Sequence, residues 1–174
     1  MGLLAFPIIW YTKLQEVLAM RRFGAFQYAC LVWLINMIFV ILSYFIPGLF
    51  HIHPVLLVAI FVSFAMMIVT WKKEQIQFAQ ILEFSKAWAI AIAIVSILYG
   101  FANFFVCLYL LREGGPHIDN GIYCLWNHGF IREITKAEYE ALLKVEGRMS
   151  TGHSLIFSAL PVVFFSAHTN ITKF

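Results

Sequence analysis

Residues 87–111, AWAIAIAIVSILYGFANFFVCLYLL, carry no charged side chain, and no other stretch restricts the fold of this chain as strongly. At a helical rise of ~1.5 Å per residue the segment crosses a hydrocarbon core of ~30 Å, where each backbone amide must find its partner inside its own helix. It is therefore read as a transmembrane helix. Along it Ala89, Ala93, Ser96, Gly100, Asn103 and Cys107 recur at steps of four, three, four, three and four. Lipid tails are as apolar as Leu, so helices associate there through close backbone approach at small residues and through interhelical hydrogen bonds. The six residues predict a packing seam, and a period near 3.5 favours a left-handed crossing.

The same signature recurs on both sides of this span. Residues 26–46 make a first span, closed by Pro47-Gly48, with Ala29, Asn36 and Ser43 seven apart on one side. A bare amide in hydrocarbon costs several kcal/mol (roughly 2–7), so Asn36 is expected to face a partner on a neighbouring helix. Residues 54–71 make a second span, Pro54 suiting its first turn, with Ala59, Ser63, Met66 and Thr70 as its seam. The linker KKEQIQFAQILEFSK is amphipathic in part and flanked by Trp71 and Trp88 as interface anchors. The last span, GHSLIFSALPVVFFSAHTN, holds Pro161 near its centre and is expected to kink there.

Composition agrees with this reading. Of 174 residues 62% are hydrophobic and 12% charged, with a mean hydropathy of +0.85, too little polar surface for a water-soluble globule. The basic residues flank apolar segments instead of lining an aromatic-studded groove, which argues against nucleic acid as a partner. Three cysteines, at 30, 107 and 124, lack CxxC spacing, so neither a disulfide framework nor a zinc finger is expected. At the N-terminus MGLLAFPIIWYT has no basic segment before its apolar run, and the chain is expected to be retained whole. Leu14, Val17, Leu18 and Arg21 follow helical spacing, so residues 1–25 are read as an interfacial amphipathic helix with Trp10 and Tyr11 at headgroup level.

Residues 112–151 form the one large polar region. GIYCLW and FIREIT are β-prone runs separated by Asn127-His128-Gly129, which predicts a hairpin with Gly129 at a positive φ. Thr135 followed by Glu138 is a capping box, and Tyr139, Leu142, Leu143 and Val145 then give a short helix an apolar side. The alternative is an irregular loop lying on the membrane. Tyr123-x-x-Trp126-Asn127-His128-Gly129, Arg132-Glu133-Ile134-Thr135-x-x-Glu138-Tyr139 and Arg148-x-x-Thr151-Gly152-His153 together resemble a pattern in small bacterial multi-span membrane proteins of unassigned function. The resemblance implies that hairpin, helix and the start of the last span form one unit. The expected architecture is thus an all-α four-transmembrane-helix bundle: interfacial segment 1–25, helices 26–111, hairpin-helix cap 112–151, and last span and tail 152–174.

Lys13, Arg21, Arg22, Lys72, Lys73, Lys86 and Lys173 fall on one side of these spans, which puts both termini in the cytoplasm; size and loop economy point to a bacterial inner membrane. The cap then lies outside, although it carries Arg112, Arg132, Lys136, Lys144 and Arg148. On that outer side His51, His53, His117, Asp119, His128 and His153 are candidate metal ligands, but their spacing matches no familiar zinc or copper pattern. No cofactor is implied. Glu133, Glu138 and Glu140 read as a solvated helix face, and Asn36, Ser63 and Asn103 as interhelical glue. The preferred function is a non-catalytic interaction protein, an accessory subunit or toxin-immunity type, in contact with the lipid bilayer and a membrane or extracytoplasmic protein. Its contact residues would be Tyr123, Trp126, His128, Phe130 and Arg132, aromatic and arginine side chains of the hot-spot kind. The alternatives are an oligomeric channel or small-molecule transporter using Asn36, Ser63 and Asn103, and a metal-dependent membrane enzyme using the outer histidines.

Overall fold

A computed structural model describes the backbone of residues 5–49 and 53–171, and the side chains of 24–49, 53–129 and 131–171. The elements are α1 (Ala5–Leu42), α2 (His53–Glu74), α3 (Phe78–Phe84), α4 (Ala87–Leu110), β1 (Gly115–Asp119), β2 (Ile122–Trp126), β3 (Phe130–Glu133) and α5 (Lys136–Ile171). Four helices are long and apolar enough to cross a membrane, within 24–42 of α1 and in α2, α4 and α5. The outer faces of α1, α2 and α4 expose Leu34, Ile38, Phe61, Val69, Leu98 and Phe105. These are the lipid-facing surfaces of an integral membrane protein.

α5 is the hub. The other three spans bury between 22% and 28% of their apolar stretch, whereas α5 buries 61% and packs against α1, α2, α3 and α4 in turn. Its buried line includes Gly147, Thr151, Ser154 and Ser158, again at steps of four, three and four. The seam expected on α4 is the set of residues α4 buries: Ala89, Ala93, Ser96, Gly100, Asn103 and Cys107. A Cβ placed on Gly100 would stand 2.6 Å from the Ile156 side chain and 3.0 Å from the Gly152 carbonyl oxygen, so α4 and α5 meet there nearly backbone to backbone. Ala29 and Asn36 of α1, and Ser43 in the turn just beyond it, are also fully buried. On α2 the seam is displaced: Ser63 is buried, but Leu56, Ile60 and Met67 accompany it, and Met66 is exposed. Larger side chains thus share the face that α2 turns to its neighbours.

Two boundaries differ from the sequence reading. α1 runs unbroken from Ala5, so the expected N-terminal segment and first span share one helix; the side chains that would show its amphipathic face lie outside the described residues. α5 likewise runs through 151–152, joining cap helix and last span. Residues 146–152 contain no proline, Thr151 Oγ1 bonds back to the Gly147 carbonyl of its own helix and Ser150 to His53 of α2, so nothing forces a break. The helix also continues through Pro161, whose side chain is fully buried.

The cap is a three-stranded antiparallel sheet of order β1-β2-β3. The β2-β3 hairpin falls where the sequence puts it, but the residue at positive φ is His128 (φ 57°), not Gly129. β1 was not expected. It pairs Asp119 with Ile122 across Asn120 (φ 49°) and Gly121 (φ 85°), a two-residue turn with both central residues left-handed, the geometry that favours Asn-Gly. Gly121→Val should therefore cost about 1–2 kcal/mol. Hydrogen exchange at β1 and β2 amides should accelerate while α4 amides stay protected.

Candidate functional site

Deep in the bundle, polar side chains of three helices join in one chain. Ser150 Oγ lies 3.0 Å from His53 Nδ1, and His53 Nε2 lies 3.0 Å from Ser154 Oγ. Ser154 donates to Asn36 Oδ1 at 2.9 Å, and Asn36 Nδ2 donates to Ser158 Oγ at 3.1 Å. The proton order follows from the acceptors. Asn36 Oδ1 only accepts, as does the Thr151 carbonyl 2.9 Å from the same hydroxyl, so the one Ser154 proton points away from the imidazole. His53 Nε2 must then carry hydrogen and donate to Ser154, which leaves Nδ1 to accept from Ser150. Ser158 ends the chain on the Leu155 carbonyl at 3.0 Å.

A second set of contacts fastens α4 to α5 and α1. Asn103 Nδ2 donates to the Arg148 carbonyl at 2.8 Å, and Cys107 Sγ approaches Asn103 Oδ1 at 3.6 Å. Trp33 Nε1 donates to Ser96 Oγ at 3.2 Å, and the Tyr44 and Tyr99 hydroxyls are 3.1 Å apart. Arg148, assigned to the cap from sequence, instead lies half-buried with its guanidinium 4.9 Å from the Tyr44 ring centroid. At the opposite end His168 Nε2 meets Glu74 Oε2 at 2.6 Å, Asn170 donates to the Phe84 carbonyl and Lys86 N–H donates to Ser166 Oγ. Ionisable groups thus do enter the helix bundle. Within it Ser63 Oγ is buried with no hydrogen-bond partner among the described residues.

The cap is fastened to the outer turns of α5. The Tyr123 and Tyr139 rings lie 4.9 Å apart, and Arg132 Nη2 reaches Glu138 at 2.6 Å and Glu113 at 3.4 Å. The hydrogen bond it donates to Glu138, then the charges of Glu138 and Glu113, hold the guanidinium more firmly protonated than usual. Thr135 caps α5 through the Glu138 amide at 3.2 Å, but the Glu138 carboxylate goes to Arg132 instead of closing the reciprocal half of the box. On the sheet His117 packs on Trp126 with centroids 5.2 Å apart, covering Cys124.

The residues expected to act together do so unevenly. Tyr123 and Arg132 are committed to holding the cap on α5, Trp126 and His128 remain exposed, and the Phe130 side chain lies outside the described residues. Asn36 and Asn103 each bind a neighbouring helix, while Ser63 does not. The metal candidates are scattered: His53 is inside the bundle, His117 exposed on the sheet beside Trp126, His128 at the hairpin tip and His153 against Phe104 at 4.7 Å. His51 lies outside the described residues, and no group of three ligating side chains occurs among those described. Sequence reasoning missed His53 as a hub together with Ser150, Ser154 and Ser158. Comparison with family models, with curated proteins and with solved structures finds no match.

Proposed function

We propose that this is a non-catalytic membrane interaction protein, an accessory or immunity-type subunit, which holds its cap against a second membrane or extracytoplasmic protein. The observation that supports this most is the mounting of the cap. One helix, α5, is both the centre of the bundle and the base to which the sheet is fastened by Tyr139 and Glu138. A sheet so held keeps Ile122, Trp126 and Ile131, all 42–47% exposed, in a fixed arrangement. Fixed aromatic and aliphatic side chains lose little entropy on docking, which is what an interface hot spot requires. We place both termini in the cytoplasm and the cap outside a bacterial inner membrane, following the basic residues at the α2–α4 linker. The Asn36 and Asn103 amides are occupied in helix contacts, which favours glue over conduction for these groups.

The test is photo-crosslinking in native membranes from benzoylphenylalanine placed at position 126, with the captured material read by mass spectrometry. Capture of one distinct protein, lost when residues 120–131 are replaced by a short Gly-Ser link, is the expected result. Capture of lipid alone, or of this chain alone, would overturn the reading.

A further inference from the structure

Between α2 and α5, in the half of the bundle nearest the cap, lies a cleft of about 570 Å³. Its walls are Leu57, Ile60, Phe61, Phe64, Met149 and Phe157, and its polar positions are Glu146, Ser150, His153 and Ser154. Along α5 it extends from Glu146 to Phe157, ~16 Å at helical rise, about the depth of one leaflet of a ~30 Å hydrocarbon core. Phe61 and Phe157 are exposed at its mouth, so it opens sideways between helices whose outer faces are apolar. A lipid tail reaches such a cleft directly from the bilayer. Volume and lining match a small-molecule site, mostly apolar with a few placed polar groups.

The polar groups specify the head. Ser150 gives its proton to His53 Nδ1 and keeps lone pairs for a ligand, whereas Ser154 is taken up by Asn36 and His53. His153 Nδ1 sits 2.7 Å from the Met149 carbonyl oxygen, which only accepts; the hydrogen is on Nδ1, and Nε2 is the ring nitrogen left for a ligand. The Glu146 carboxylate, one oxygen of which lies close against Gly115 of β1, has lone pairs for the cap and for a ligand together. Three acceptors, one of them anionic, call for a head rich in N–H donors and positively charged. We propose that the cleft binds one tail of an aminophospholipid, its primary ammonium held by Glu146, Ser150 and His153.

The discriminating comparison is between phosphatidylethanolamine and phosphatidylcholine of identical acyl chains, which share net charge while the choline head has no N–H. The full chain, exchanged into mixed micelles containing both with phosphatidylglycerol, is read by native mass spectrometry for retained lipid. Retention of the ethanolamine lipid at least fivefold over the choline lipid is expected, falling towards parity in Glu146→Gln and Ser150→Ala. Leu57→Trp, which fills the tail region, should lower retention of all three lipids. Equal retention of ethanolamine and choline lipids by the unaltered protein would overturn the proposal without any variant, as would an unchanged preference in folded Glu146→Gln. Preferential retention of phosphatidylglycerol would overturn it too. Cross-linking from position 126 is independent of every one of these results.

Discussion

Gly152→Ala is expected to lower the thermal midpoint of the protein in detergent micelles markedly, and Asn103→Ala to absorb most of that loss. A Cβ on Gly152 would stand 2.6 Å from Asn103 Nδ2, too close for any real contact. The amide must leave the Arg148 carbonyl, and the Cys107 thiol loses Asn103 Oδ1 with it. Overpacking costs ~1–3 kcal/mol and a lost buried hydrogen bond about 1 more, so roughly 2–4 kcal/mol is at stake. In the Asn103→Ala background the new methyl enters space the amide has vacated. A double-mutant cycle should therefore return a coupling on the order of 1–3 kcal/mol. Equal costs of Gly152→Ala in both backgrounds would mean that α4 and α5 are not held apart by this contact.

That Gly152 matters was only half legible in the sequence. The seam on α4 could be read in full because its small residues interrupt a run that is otherwise large and apolar, so the 4-3-4 spacing stands out. Gly147, Thr151, Ser154 and Ser158 repeat that spacing on α5, but there the run begins among Lys, Glu and Arg. A polar background hides a polar seam. The same background hid Arg148, which packs against Tyr44 just beyond α1, among the charged residues of 112–151. β1 was missed because Gly115, Pro116, His117 and Asp119 are poor strand formers; pairing across the Asn120-Gly121 turn overrides their propensity, and that dipeptide was the signal to heed. His53 could not have been placed from local pattern at all. Its partners, Ser150 and Ser154, lie about a hundred residues away.

Removing the single oxygen of Ser154 should destabilise the bundle more than any other serine-to-alanine change in it. Among the described residues Ser154 is the one hydroxyl through which two other helices are satisfied: it accepts from His53 Nε2 and donates to Asn36 Oδ1. Alanine there orphans an N–H on α2 and a carbonyl on α1 at once. Ser158→Ala orphans only the Asn36 Nδ2 donor, since the Ser158 proton already goes to its own helix at Leu155. An unsatisfied buried group costs ~1–3 kcal/mol in water-soluble proteins. Interhelical bonds in membranes average ~0.6 and reach ~1.7, because the separated helices find other partners. Two such losses put Ser154→Ala at roughly 1–3 kcal/mol, and Ser158→Ala at about half of that. Adding Asn36→Leu to Ser154→Ala removes one of the two orphans, so the double variant should lose less than the sum of the singles. Steric trapping or thermal midpoints in one detergent suffice to rank the set. If Ser154→Ala proved no worse than Ser158→Ala, His53 would be donating elsewhere, and the proton order from Ser150 to Ser158 would have to be reversed.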